Sequence, residues 1–282
     1  MSIVTRFAPS PTGYLHLGHA YAALVAWRRA GEAGGRLLLR LEDIDATRCR
    51  PAFADAILED LAWLGLEWDG PVRTQSEHLA EYRAALDALT ARGLIYPCFC
   101  TRAEVAREAA RSASAPHAPD GTPRYPGTCR GLTADERASR IAAGQPYALR
   151  LDVDRALATV ATPLTFEEDG EGTITCQPAR FGDIVLARKD IPASYHLCVT
   201  HDDAVQGVTL VTRAIDLRPA TDVHRLIQAL MGWPPPRYAH HRLLTDTEGR
   251  RLAKRDKAAT LRELRAQGHS AAQVRAFVEA TA

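Results

Sequence analysis

The stretch Arg6-Phe-Ala-Pro-Ser10-Pro-Thr-Gly-Tyr-Leu-His16-Leu-Gly18-His19 decides how this chain is read. It leaves a short apolar segment, crosses a turn built of proline and glycine, and enters a small-residue helical stretch over 20–27. His16 and His19 stand three residues apart at a helix start, so they share one face. A helix N-terminus offers unpaired N–H groups and a partial positive charge, which suit an anion. Gly18 has no Cβ, so a flat ring can approach the backbone there. The pattern predicts a seat for a nucleoside triphosphate. It is not a Walker-type seat, because the chain has no G-x-x-x-x-G-K-[ST]. Two structural histidines beside a turn would give the same spacing.

Three further segments bear on that choice. Arg251-Leu-Ala-Lys254-Arg255 follows a turn-like Asp246-Thr-Glu-Gly249, and a basic loop of this kind can close on phosphates. A solvated basic patch is the plainer reading. The chain has only three lysines, Lys189, Lys254 and Lys257, so one inside a phosphate-binding pattern is noticeable. The other two segments are Arg40-Leu-Glu42-Asp43-Ile-Asp45-Ala-Thr-Arg48 and Ser194-Tyr195-His-Leu-Cys-Val-Thr-His201-Asp202-Asp203.

Periodicity predicts buried strands over 3–8 and 36–41 and helices over 18–31, 52–65 and 78–92, the last stopped by Gly93. Residues 97–150 read as a loop-rich insertion, 158–195 as β-structure, 205–232 as strand then helix, and 258–282 as one or two short amphipathic helices. Strand alternating with helix implies an α/β fold on a parallel sheet. At 282 residues the chain can bury one good core beside a smaller unit. Its net charge of +1 excludes a global polycation, so a nucleic-acid partner would need a local basic face. No apolar run reaches a membrane-spanning length, and the first motif begins at Arg6, leaving no room for a signal peptide. The six cysteines therefore read as cytoplasmic thiols or metal ligands.

Taken together, the first stretch resembles the first signature of class I aminoacyl-tRNA synthetases of the glutamyl type. Arg251-Leu-Ala-Lys254-Arg255 resembles their lysine-bearing signature, and the segments at 40–48 and 194–203 resemble two more of their motifs. The resemblance covers most of 3–260. Only 28 residues follow Lys254, where full-length glutamyl enzymes continue into an anticodon-binding portion. The chain is thus most similar to the truncated glutamyl-queuosine tRNA(Asp) synthetase family. This resemblance implies a class I synthetase Rossmann-type sheet divided into a first catalytic half (1–96), an inserted zinc-binding subdomain (97–150), a second catalytic half (151–257) and a helical tail (258–282). It implies activation of L-glutamate by ATP with Mg²⁺, and transfer to the queuosine base in the anticodon loop of tRNA(Asp). A cytoplasmic monomer that does not bind membranes is expected. The alternatives are a compact enzyme charging a tRNA 3′ end, a non-catalytic tRNA-binding paralogue and a ligase acting on a small metabolite.

Residue by residue, the resemblance assigns catalysis to His16, His19 and Lys254, and ATP binding to those three with Gly18 and Arg255. It assigns glutamate binding to Arg6, Ala8, Ser10, Glu42, Tyr195 and Arg213. Glu42 is expected to meet the ammonium, Arg6 and Arg213 the carboxylates, since a planar guanidinium suits a carboxylate. A surface ion pair is the plain alternative for Arg213, and a structural ion network for Asp43, Asp45 and Arg48. Arg251 stands where the signature has lysine, Ala253 where it has a small polar residue, and Ala214 where relatives carry glycine. Cys98-x-Cys100 and Tyr125-x-x-x-Cys129 resemble the zinc knuckle, with His117 competing with Tyr125 for the fourth position and plain buried cysteines as the alternative. Cys49, Cys176 and Cys198 are expected to be ordinary apolar residues. Arg102, Arg107, Arg111, Arg124 and Arg130, with Arg237, His240, His241 and Arg242, form a candidate basic rim for RNA phosphates.

Overall fold

The computed structural model describes residues 2–111, 118–119, 121–161, 163–244 and 259–281. Strand β1 (Val4–Phe7) feeds helix α1 (Leu17–Glu32), and β2 (Arg36–Leu41) returns parallel to β1 with Leu38 opposite Arg6. The tight α1–β2 turn depends on Gly35, where a Cβ would stand 2.1 Å from the Ile3 carbonyl oxygen. Helix α2 (Pro51–Trp63) and the short β3 (Arg73–Thr74), parallel to β2, complete this part of the sheet.

The alternation along β2 explains its near-continuous apolar sequence. Leu37, Leu39 and Leu41 pack with Leu24 of α1 and with Ile57 and Leu61 of α2. Leu38 faces the opposite core, with Tyr82, Leu86 and Leu89 of α3 (Leu79–Ala91). Helices thus cover both faces, as a parallel sheet requires. Arg40 shares the side of Leu38 and is completely buried.

The chain then makes β4 (Ile95–Cys98), α4 (Arg102–Arg111), α5 (Ala134–Ala142) and β5 (Ala148–Leu151), with β4 and β5 antiparallel. This region differs from the loop-rich expectation. Two helices form because Thr101 with Glu104, and Thr133 with Glu136, make reciprocal capping boxes at their starts. After α6 (Val153–Leu157), β6 (Thr165–Glu168) and β7 (Gly172–Thr175) pair antiparallel, and β8 (Ile184–Ala187) joins β5.

Helix α7 (Tyr195–Val205), β9 (Leu210–Ala214), α8 (Ala220–Met231) and β10 (Arg237–His241) return to the parallel pattern. β10 lies between β9 and β6, parallel to both. The Thr209 N–H donates to the Val4 carbonyl at 2.8 Å, which ties the start of β9 to β1. Helices α9 (Leu261–Ala266) and α10 (Ala271–Thr281) close the chain, as the helical tail predicted. Leu261, Val274 and Val278 join the core behind α1. No helix among the described residues is long and apolar enough to cross a membrane.

Candidate active site

A cleft of about 490 Å³ opens where β1, β2, β9 and β10 end. Ligands of open α/β sheets sit at the carboxyl ends of parallel strands, where strand order reverses. Arg6, Ala8 and Ser10 line the cleft from β1 and the turn after it, and Glu42 follows β2. His16, Gly18 and His19 line it from the start of α1, Tyr195 from the start of α7, and Arg213 from β9. The lysine-bearing segment, with Arg251, Ala253, Lys254 and Arg255, lies outside the described residues.

His16 is the N-cap of α1. Its Nδ1 accepts the Gly18 N–H at 3.1 Å, and His19 Nδ1 accepts the His16 N–H at 3.3 Å. With both Nδ1 atoms accepting, each neutral ring carries its proton on Nε2. The rings stack with centroids 3.9 Å apart, tilted by 34°. The first turn of α1 holds no acidic residue to compete with an anion.

At the other end of the cleft the site rests on a buried ionic network. Arg6 Nε donates to Asp203 Oδ1 at 2.8 Å, and Nη1 to the Thr212 carbonyl at 3.1 Å. Arg40 donates to the same Asp203 oxygen at 2.9 Å and to Glu42 Oε1 at 3.3 Å. Asp202 accepts from Arg73 at 3.0 Å, Gln75 at 2.9 Å and Tyr82 at 2.9 Å. Burial works against ionised Asp203, but Arg6 and Arg40 outweigh it and hold its carboxyl below the usual range. For Glu42 burial wins over Arg40 and Arg6, and its carboxyl is pushed up. Arg6, Arg40 and Arg73 thus interleave with Asp203, Glu42 and Asp202, and Arg73 continues to Glu81, a network that holds Arg6 and Glu42 in place.

Arg213 is different. It is 6% exposed, and it makes no ion pair among the described residues. This overturns the surface ion-pair alternative. Nε donates to His240 Nε2 at 3.1 Å, Nη1 to His224 Nδ1 at 3.0 Å, and Nη2 to Thr221 Oγ1 at 2.5 Å. Its guanidinium lies over the Tyr238 ring. Both histidines are held neutral: burial comes first, and Arg213 adds repulsion.

Asp43 and Asp45 take structural parts. Asp43 caps the Ser76 N–H at 2.8 Å, and Asp45 holds Thr47. Arg48 lines the cleft. The basic rim needs correcting at one residue: His240 has a fully buried side chain bonded to Glu168, whereas Arg237 and Arg130 stay exposed while pairing with Asp169 and Asp154. The expected rim overlooked β10, whose histidines were read as surface charge. Arg102 and Arg107 are exposed, Arg124 packs against Gly182, and the side chain of Arg111 lies outside the described residues.

The chain is similar to known proteins along nearly its whole length. The family "tRNA synthetases class I (E and Q), catalytic domain" matches residues 2–280. The chain belongs to this family. A glutamyl-Q tRNA(Asp) synthetase of Rhodobacter capsulatus is 48% identical over 98% of this chain and 99% of its own length. One from Nocardia farcinica is 44% identical over 97% of this chain and 82% of its own. A crystal structure of a glutamate tRNA ligase from Elizabethkingia meningosepticum, in complex with its amino acid, superposes with a TM-score of 0.75 at 28% identity. It covers 91% of this chain, which spans about half (52%) of that ligase.

A second constellation in this class I synthetase lies beyond the cleft. Cys98, Cys100 and Cys129 bring three sulfurs within 4.8 Å of one another. Cys100 Sγ stands 3.5 Å from Cys129 Sγ and 3.7 Å from Tyr125 Oη, and Phe99 N–H donates to Cys129 Sγ at 3.4 Å. The Arg150 guanidinium lies 3.9 Å over the Tyr125 ring. Burial raises the Cys100 thiol to about 11. Cys129 is held below its ordinary value despite burial, by Tyr125 and the Phe99 N–H. Three soft donors and a phenol oxygen in a small core match the chemistry of a four-coordinate zinc site. His117 lies outside the described residues. Cys176 and Cys198 are buried apolar residues, as expected, whereas Cys49 is half-buried.

Asp202, Asp203 and Arg40 escaped assignment in the sequence although each stood in a quoted motif. An arginine inside an otherwise apolar strand was the available signal for Arg40. Thr221, His224 and Glu168 carried no local signal, because the fold alone brings them to Arg213.

Proposed function

We propose that this ligase activates L-glutamate with ATP and Mg²⁺, then transfers glutamate to the queuosine base of tRNA(Asp) in the cytoplasm. The observation that carries the reading is the division of one cleft into two ends: a helix N-terminus with two imidazole donors, and a buried cationic pocket with one acid at its edge. The names of full-length relatives in Rhodobacter and Nocardia supply the acceptor.

In the first step a glutamate α-carboxylate oxygen attacks the α-phosphorus of ATP. The bond from that phosphorus to the bridging oxygen breaks, and pyrophosphate leaves. Such a step needs positioning and charge neutralisation. His16 and His19 donate from Nε2 to the phosphates, with Gly18 giving the nucleotide close approach. Lys254 and Arg255 neutralise the leaving pyrophosphate, and Mg²⁺ arrives with ATP. Arg6 and Arg213 take the two carboxylates, Glu42 the ammonium, and Tyr195, Ala8 and Ser10 shape the pocket. In the second step a queuosine hydroxyl attacks the glutamyl carbonyl and AMP leaves, its phosphate accepting the hydroxyl proton. Cys98, Cys100, Cys129 and Tyr125 would hold a structural zinc that ties β4 to the segment before α5.

Glutamate-dependent ATP–pyrophosphate exchange tests the first step. Exchange that requires glutamate and falls at least 100-fold in Lys254→Ala supports these roles; exchange indifferent to glutamate removes them.

A further inference from the structure

Arg213 poses a physical problem that the glutamate reading leaves open. A buried guanidinium with no carboxylate partner is costly. Its three protein-directed N–H groups end on two imidazoles and a hydroxyl, none of them anionic. The arrangement extends on both sides. His240 Nε2 accepts from Arg213 while its Nδ1 stands 2.6 Å from Glu168 Oε2. His224 Nδ1 accepts from Arg213 while its Nε2 stands 3.2 Å from His196 Nδ1.

These contacts dictate protonation. An imidazole nitrogen that accepts from a guanidinium carries no proton, so His240 must be the Nδ1–H tautomer donating to Glu168. By the same rule His224 must be the Nε2–H tautomer donating to His196. If either ring took a second proton, an acceptor of Arg213 would become a donor beside a fixed cation. Glu168 stands one imidazole away from the guanidinium, so it orients His240 without pairing with Arg213.

We infer that His240 and His224 are positioning residues for substrate binding: as neutral imidazoles of opposite tautomer they clamp Arg213 and leave its charge to be met by a carboxylate of the substrate. The inference rests on the cleft being the glutamate site. It also gives a reason for two histidines where a carboxylate would hold an arginine more simply. An aspartate or glutamate in their place would satisfy Arg213 internally and compete with the ligand.

The groups facing the two rings come from every neighbouring element. His240 meets Arg213 of β9, Glu168 and Phe166 of β6, Thr221 of α8, Tyr238 of its own strand, and the charge of Arg218 before α8. His224 meets Arg213, Tyr195 and His196 of α7, the charge of Arg6 and the neutral ring of His240. The carboxylates facing His240 are Glu168 and, farther off, Glu171; burial first, and then the charge of Arg213, outweigh them, so both rings stay neutral below the ordinary imidazole value of about 6.5.

Two measurements test this. Nitrogen-15 spectra of the histidine rings at pH 6 should show His240 protonated at Nδ1 only and His224 at Nε2 only. A doubly protonated ring, or His240 protonated at Nε2, overturns the proposal without any variant being made. In glutamate-dependent pyrophosphate exchange, His240→Ala should raise KM for glutamate about 10-fold or more with kcat changed far less. His240→Gln, whose amide can accept at the Nε2 position and donate to Glu168, should recover most of the loss, as should His224→Asn relative to His224→Ala. Equal KM values in wild type and both alanine variants overturn the proposal. Wild-type protein that binds no glutamate overturns the reading of the cleft itself, and this inference with it.

Discussion

Asp203 holds Arg6 in place: its Oδ1 accepts Arg6 Nε at 2.8 Å, and the same oxygen accepts Arg40 Nη1 at 2.9 Å. One carboxylate oxygen therefore locks a guanidinium of the cleft to the guanidinium that also holds Glu42. The two groups expected to meet opposite ends of glutamate share one buried support. Asp203→Asn keeps the shape and removes the charge, leaving two buried cations short of an anion. It should cost about 3–5 kcal/mol of stability and raise KM for glutamate at least 10-fold. Urea unfolding and exchange kinetics read the two effects. Wild-type values in both would show that Asp203 supports neither.

Much of this was legible in the sequence, for physical reasons that vary by element. The strand at 36–41 and the helices at its flanks were visible because hydrophobic periodicity reports burial directly. The nine described residues assigned to nucleotide and glutamate fall on one cleft because their motifs sit at strand ends, which local patterns reveal. Helices α4 and α5 were missed although Thr101-x-x-Glu104 and Thr133-x-x-Glu136 announced their starts. Strand β10 was missed because Arg237, His240 and His241 look solvated in the sequence, whereas in the sheet only Arg237 stays exposed and both histidine residues are half-buried. No periodicity reports that His224 and His240 converge on Arg213, since they come from different elements.

Acid should destabilise the fold in two stages. His224 and His240 are held below their ordinary values, so the unfolded chain takes up protons that the folded chain refuses as pH falls below about 6.5. Asp202 and Asp203 are held below theirs, so their contribution, present above about pH 4, is lost as pH falls through the folded values. Relative to a His240→Gln variant, which takes up no proton there, the wild-type urea midpoint should fall as pH drops from about 6.5 to 5. A wild-type midpoint that gains on the variant over that range would contradict the sign.

Asp60 has the opposite sign. It is 4% exposed, its Oδ2 has no hydrogen-bond partner among the described residues, and burial lifts its carboxyl to about 6. The folded state holds this proton more tightly than the unfolded state, so stability is lost as pH rises from about 4 through 6. Asp60→Asn should therefore stabilise the protein by about 1–3 kcal/mol at pH 8 and little at pH 4. Equal effects at both pH values would assign the change to packing.

Cys129→Ser should reduce bound zinc several-fold and loosen the segment joining β4 to α5, with adenylate formation far less affected. Metal analysis and hydrogen exchange over 97–150 check this. Full zinc retention in both Cys98→Ser and Cys129→Ser would discard the four-donor site.

The central claim is best tested by transfer of labelled glutamate, with ATP and Mg²⁺, to tRNA(Asp) carrying queuosine, to the same tRNA carrying guanosine, and to tRNA(Glu). The account predicts label on the queuosine-bearing tRNA alone. Label on tRNA(Glu), or on tRNA(Asp) without queuosine, would contradict it.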